Sequence, residues 1–96
     1  MGVTRKRIVM HGTVQGVGLR FRARHAADML GITGWIRNER DGSVTMEAQG
    51  EDGAAEKLLE IISGGTFVDI ERTETSSVPV REDERGFRTL HRGEEG

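Results

Sequence analysis

The stretch GTVQGVGLR, residues 12–20, joins a short apolar segment to a segment with a helical pattern. Its three glycines predict a tight connection that delivers the chain to the N-terminus of a helix. In such a loop several backbone N–H groups point toward one place, and the positive end of the helix dipole adds to them. The pattern therefore predicts a concave site for a phosphate or a carboxylate.

The segments on either side of this loop have the patterns of a strand and a helix. Residues 5–14 contain a short apolar run with β-branched side chains, which predicts a first strand. From Leu19 onward apolar residues recur at helical spacing, and Gly31 stands where a left-handed residue ends a helix. The first helix is therefore expected over residues 18–30.

A hairpin is expected next. Residues 32–38 form a second strand candidate, and residues 40–43, RDGS, supply a turn. In the segment that follows, residues 44–48, apolar and polar side chains alternate. This alternation predicts a third strand with one buried face.

The second half of the chain predicts one more helix and two short strands. Asp52 is the candidate N-cap of the helix, and Gly64 with Gly65 ends it. Its apolar stripe consists of Ala55, Leu58, Leu59 and Ile62. Beyond it the sequence predicts a fourth strand marked by Phe67, Val68 and Ile70, a solvated loop over 76–86, a short edge strand over 87–90 and a frayed tail over 92–96.

The order strand, helix, strand, strand, helix, strand defines the expected fold. It is that of an α+β, ferredoxin-like split β-α-β sandwich, with two helices on one face of an antiparallel sheet. At 96 residues the chain is expected to be a single domain over 1–96. There are no internal repeats.

Composition excludes several classes of protein. With no cysteine there is no thiolate nucleophile, no disulfide framework and no Cys-based metal site. The N-terminus is charged where a signal peptide is apolar, and no apolar run approaches the ~20 residues of a membrane span. We therefore expect a soluble cytoplasmic protein without a membrane partner.

Charge is unevenly distributed along the chain. Eight of the fourteen Lys and Arg residues lie in residues 1–40, which hold only two of the sixteen acidic residues. A basic half in a chain of pI near 5.9 indicates a local site for an anion rather than a surface for nucleic acid.

Arg20 and Asn38 are the side chains best suited to chemistry at such a site. Arg20 lies in the first helical turn, where a cation opposes the helix dipole by ~0.3–1 kcal/mol unless an anion shares the site. Its guanidinium can hold two phosphoryl oxygens. Asn38 ends the second strand beside the turn and can orient a water while uncharged. The alternative is that the glycines only make a turn, that the arginines form a solvated helix face and that Asn38 is a turn residue.

No other constellation suggests a catalytic or metal site. His11, His25 and His91 have no spacing that indicates shared ligands, so each is expected to have a surface or structural role. Trp35 is expected to pack in the core or at its edge. We therefore expect no metal and no cofactor.

The two motifs at 12–20 and 34–38, GTVQGVGLR and GWIRN, resemble the acylphosphatase signatures GxVQGVxFR and GWVxN. The resemblance extends through 41–44 and over the whole chain. It implies a metal-independent hydrolase that cleaves the carboxyl-phosphate bond of acyl phosphates, with inorganic phosphate as product and inhibitor. It also implies that Arg20 binds the phosphate and Asn38 orients the attacking water. The backbone that cradles the phosphoryl oxygens would be that of Gln15, Gly16, Val17, Gly18 and Leu19.

Leu19 departs from the family pattern, which has phenylalanine before the arginine. It is expected to pack beneath the loop, so the loop is expected to be set differently or more loosely. One alternative function is a non-catalytic module that binds acyl or carbamoyl phosphate. Another, an RNA-binding domain, is disfavoured because the chain has no tyrosine and no aromatic pair on its central strands. A monomer is expected, and the sequence does not specify the acyl group.

Overall fold

Five strands and two helices follow one another in the computed structural model, which describes residues 2–96. The elements are β1 Val3–Thr13, α1 Leu19–Leu30, β2 Thr33–Asn38, β3 Val44–Glu51, α2 Ala54–Ser63, β4 Asp69–Val78 and β5 Phe87–Leu90. Their order is the one that the sequence predicts, and the candidate edge strand over 87–90 is present. The α+β, ferredoxin-like architecture is confirmed.

The five strands form one sheet in the order β4-β1-β3-β2-β5. The first four strands in this order pair antiparallel with one another, whereas β5 runs parallel to β2 with Phe87 opposite Gly34. The sheet is therefore mixed, and the expectation of a wholly antiparallel sheet is wrong in this strand. The reason is the path of the chain, which leaves β4 at the end of the sheet where β2 begins and crosses to the opposite edge before β5 starts.

Both helices pack on one face of the sheet and bury the core there. Successive side chains of a strand point to opposite faces, so β1 contributes Ile8 and Met10, and β2 contributes Ile36. The other buried residues of this core include Val44, Met46, Ala48, Leu19, Ala23, Ala27, Ala55, Leu58 and Ile62. Helix α1 ends at Gly31 with φ of 70°, as the sequence predicts.

Two predicted boundaries in the second half are wrong. Asp52 does not cap α2, because the N-cap is Gly53 in the left-handed conformation with no side-chain cap bond. Strand β4 starts at Asp69, after Phe67 and Val68, and runs on to Val78, into the predicted loop. Phe67 is 76% exposed, so its apolar side chain does not mark a buried strand. Strand β4 can be polar because it lies at the edge of the sheet, where pairing with its one neighbouring strand is enough to form it.

The second face of the sheet, called here the open face, carries buried polar side chains. Arg5 is 1% exposed and donates to Glu47 at 2.7 Å and to Glu84 at 2.6 Å. Trp35 is also buried on this face, with the Arg37 guanidinium carbon 4.8 Å from its ring centroid.

The loop after β4 and the C-terminal tail lie against the open face. Gln49 on β3 donates from its amide to the Arg81 carbonyl at 2.8 Å. Arg37 donates to the Glu94 carbonyl at 2.6 Å, and Gly96 lies against the Trp35 ring. Residues 92–96, for which the sequence predicts fraying, are thus placed across this face.

Candidate functional site

The loop between β1 and α1 and the turn between β2 and β3 lie at the same end of the sheet. Strand β1 ends at Thr13, opposite Asp69 at the start of β4. Asn38 ends β2 opposite Val44 at the start of β3, and Val44 in turn lies opposite Met10 in β1. The two sequence motifs are therefore neighbours in space, with one strand, β3, between the strands that carry them.

The loop presents a run of free backbone donors. No N–H from Gln15 to Phe21 donates to another group within residues 2–96, and the first helical bond runs from the Arg22 N–H to the Gly18 carbonyl at 3.0 Å. Gly16 and Gly18 have φ of 72° and 76°, which favours glycine and turns successive amides toward one side. A loop with this geometry at a helix N-terminus is suited to binding a phosphate.

The side chain of Gln15 ties the loop to the hairpin turn. Its amide nitrogen donates to the Glu39 carbonyl at 2.7 Å and to the Ser43 carbonyl at 2.9 Å. Its amide oxygen accepts from Arg92 at 3.3 Å. The Gln15 side chain therefore fixes the distance between the two motifs, and only its backbone remains free for a ligand. This tie is not evident from the sequence, because its partners are main-chain carbonyls.

The guanidinium of Arg20 is free to bind a ligand. It is partly buried in the first turn of α1, a turn without acidic residues, and its guanidinium has no hydrogen bond or ion pair to any other residue in 2–96. Leu19 beside it is 1% exposed and belongs to the core, so it does pack beneath the loop as predicted. Val17 packs against the same core at its edge.

Asn38 faces the same side of the sheet as the loop. It shares its strand face with Ile36, a residue of the helix-side core. The Asn38 Oδ1 is buried and accepts no hydrogen bond from residues 2–96. A buried acceptor without a partner costs about 1–3 kcal/mol, so this oxygen is expected to be used by a bound donor such as water.

The carboxylates nearest Asn38 in the sequence are poor bases. Burial would raise the pKa of Glu39, but hydrogen bonds from Arg37 and Thr45 lower it below its ordinary value. Hydrogen bonds from the Ser43 hydroxyl and backbone N–H lower the pKa of Asp41. Both groups therefore stay ionised and paired at neutral pH, and neither is suited to remove a proton from water.

The three histidines are dispersed in the structure. His11 contacts Glu74 at 2.6 Å, and the His25 ring lies 4.3 Å from the Phe21 ring. Across residues 2–96 there is no group of three or more histidine, aspartate or glutamate side chains placed to hold a metal ion. Within the same residues, no helix is long and apolar enough to cross a membrane.

Comparisons with known proteins identify the family of the chain. Residues 6–89 match the family model Acylphosphatase. An acylphosphatase from Geobacillus thermodenitrificans is 40% identical over 90 residues, covering 93% of this chain and 96% of that protein. The crystal structure of acylphosphatase from Bacillus subtilis has a TM-score of 0.82 at 28% identity, covering 91% of this chain and 98% of that one. The chain belongs to the acylphosphatase family.

A further likeness shows the fold alone. Full-length HypF in a phosphate- and nucleotide-bound form superposes with a TM-score of 0.83 at 21% identity, covering 96% of this chain but 12% of the larger one. The same fold thus also occurs as a small part of a much longer protein.

Proposed function

We propose that this acylphosphatase cleaves the carboxyl-phosphate bond by in-line attack of a water held by Asn38 on a phosphoryl group bound by Arg20 and the loop amides. As a member of its family the chain is an enzyme that hydrolyses acyl phosphates to a carboxylate and inorganic phosphate. The observation that carries the assignment of roles is the buried, unpartnered Oδ1 of Asn38 beside a loop of free N–H donors.

The phosphoryl group would be bound by charge and by backbone donors. The amides of Gln15, Gly16, Val17, Gly18 and Leu19 and the guanidinium of Arg20 would hold its three equatorial oxygens. These groups are already oriented, so they stabilise the charge of the transition state without reorganising at the moment of reaction.

Asn38 would supply position rather than acid-base chemistry. Its Oδ1 accepts a hydrogen bond from water and holds the oxygen lone pair toward phosphorus, which replaces a bimolecular encounter by a near-attack geometry. The bond between water oxygen and phosphorus forms as the bond from phosphorus to the carboxyl oxygen breaks. The carboxylate leaves with the electron pair, and the water proton passes to a phosphoryl oxygen of the substrate.

The proposed partners follow from this chemistry. The substrate is a small acyl phosphate, and inorganic phosphate is both product and competitive inhibitor. The protein acts as a cytoplasmic monomer, without metal or cofactor and without a nucleic-acid or membrane partner. The basic residues of 1–40 are matched by acidic residues in the rest of the chain, which gives a net charge of -2 and disfavours polyanion binding.

Hydrolysis of benzoyl phosphate in ¹⁸O-labelled water with EDTA tests the proposal. Turnover should survive the chelator, and mass spectrometry should find the label in inorganic phosphate and not in benzoate, because the attack is at phosphorus. The uncatalysed reaction provides the background. Label in benzoate, or turnover that requires a metal, would contradict the mechanism. Phosphate binding without turnover would replace it by the non-catalytic binding module.

A further inference from the structure

An apolar groove adjoins the phosphate loop on the helix side. It has a volume of about 440 Å³, and its walls include Val17, Phe21, His25 and Phe67. Phe21 and Phe67 are 71% and 76% exposed, so two phenyl rings of a chain with only three lie largely uncovered at one place. Scattered exposed apolar residues need no explanation, but a pair lining one groove beside a ligand site does.

The groove is built on anchored walls. Arg22 of α1 also lines the groove, and its Nε donates to the Ile61 carbonyl of α2 at 3.0 Å, which joins the two helices. The segment that carries Phe67 is closed by a turn in which the Val68 N–H donates to the Gly65 carbonyl at 3.2 Å. The two phenyl rings thus stand on separate elements that are tied together.

The position of the groove relative to Asn38 follows from the strand order. At this end of the sheet Asn38 lies two strands from β1 on the side of β3, which is roughly 10 Å at the usual strand spacing. Phe67 lies just before the start of β4, which borders β1 on the other side. The phosphate loop, which leaves the end of β1, therefore stands between the water-holding residue and the groove.

In-line displacement fixes where the leaving group must go. Water attacks phosphorus from one side, and the leaving oxygen departs from the opposite side. With water at Asn38, the acyl group of a bound substrate is directed to the flank where Phe21 and Phe67 lie. We infer that this groove is the acyl subsite and that it favours acyl phosphates with aromatic or bulky apolar acyl groups. This inference rests on the proposed function and on its assignment of Asn38.

The test compares two substrates in variants that leave the loop intact. Wild-type kcat/KM should be higher for benzoyl phosphate than for acetyl phosphate. In Phe67→Ala the ratio of the two kcat/KM values should fall about threefold to tenfold, the range expected for one aromatic contact. Met29→Ala on the same helix as Phe21 is the matched control, because Met29 is 87% exposed and lies at the far end of α1. It should leave the ratio unchanged.

A second measurement does not depend on turnover. Benzylphosphonate should bind more tightly than methylphosphonate to the wild type by calorimetry, and Phe67→Ala should remove most of that difference. An unchanged substrate ratio together with equal affinities for the two phosphonates overturns the subsite while leaving the hydrolase intact. Tighter binding of benzylphosphonate by a protein that hydrolyses neither substrate would leave the groove and remove the proposed mechanism.

Discussion

The open face of the sheet and the phosphate loop both concentrate polar groups around an arginine, but they differ in whether those groups have partners. Arg5 on the open face is enclosed, with Glu47, Gln49 and Glu84 within 2.6 to 3.1 Å of its donor atoms. Arg20 at the loop has no such partner among residues 2–96 and lies beside free amides. The polar groups around Arg5 are paired with one another, whereas those around Arg20 are free to bind a ligand.

The difference shows in the pKa of the enclosed arginine. Burial would lower the pKa of Arg5, but hydrogen bonds and charges from Glu84 and Glu47 outweigh it and raise the pKa above its ordinary value. Its charge is thereby balanced by carboxylates of the protein itself. The comparison teaches that a partly buried arginine indicates a binding site when it lacks partners beside free backbone donors, and not merely because it is buried or near other polar groups.

The largest effect is expected from removing the Arg20 side chain at the phosphate loop. Arg20→Ala should lower kcat/KM for benzoyl phosphate by about 10³-fold or more, because an arginine that stabilises a transferring phosphoryl group contributes on that scale. It should also weaken inorganic phosphate binding. The unfolding midpoint should not fall, since Arg20 makes no contact that the fold uses. Arg20→Lys is the matched variant and should recover only part of the activity. A loss below tenfold in Arg20→Ala would contradict its role.

Removing the Arg5 side chain on the open face should lower stability rather than activity. Arg5→Ala leaves Glu47 and Glu84 buried without their main partner and should lower the free energy of unfolding by about 3–5 kcal/mol, measured in urea. Arg24→Ala, at an exposed position of α1, is the control and should change it by no more than ~0.5 kcal/mol. Where Arg5→Ala is folded, its turnover per folded molecule should match the wild type. A hundredfold loss of turnover would show that the two clusters are coupled.

The cluster around Arg5 also predicts how stability depends on pH. Burial would raise the pKa of Glu84, but the hydrogen bond from Arg5, supported by Thr33, lowers it below 4.5. The ionised carboxylate therefore contributes stability above about pH 4.5 that is lost as pH falls through the lower, folded pKa. Glu84→Gln should lower the free energy of unfolding at neutral pH by about 1–2 kcal/mol and flatten its decline in acid. Glu82→Gln at an exposed position should do neither. An equally steep acid decline in Glu84→Gln would contradict this account.

The smallest effect is expected at the tie between the two motifs. Gln15→Ala removes the two hydrogen bonds that hold the loop against the hairpin turn, so kcat should fall about threefold to tenfold as the geometry loosens. Arg92→Ala tests the weaker contact on the other side of the same amide, 3.3 Å long, and should change kcat by less than twofold. Steady-state kinetics on benzoyl phosphate measures both. No change in kcat for Gln15→Ala would mean that the loop holds its position without this tie.

Local patterns were sufficient to predict the helix-side architecture. The alternation in β3, the helical spacing after Leu19 and the glycine at position 31 each depend on backbone geometry or burial within one element. The same holds for the loop at 12–20, because three glycines leading into a helix restrict its conformation strongly. Sequence could therefore predict the elements, and it names candidate site residues whose roles stay a prediction.

Features that depend on distant contacts could not be predicted. Nothing near Arg5 in the sequence indicates that Glu84, 79 positions away, neutralises it on the open face. Phe67 shows the opposite failure, because its apolar side chain predicts a place in the fourth strand, whereas it lies before that strand and is exposed. The groove beside the phosphate loop could not be predicted for the same reason, since its walls come from the start of α1 and the segment before β4, which only tertiary packing brings together.

The division of roles between Arg20 and Asn38 is tested most directly by titrating Asn38→Ala with inorganic phosphate and measuring its turnover in the same preparation. The account predicts phosphate affinity within about twofold of the wild type and kcat lower by about 10²-fold, because the loop still binds the phosphoryl group while the water is no longer placed. Phosphate affinity that falls in parallel with kcat, or a kcat that does not fall, would contradict it.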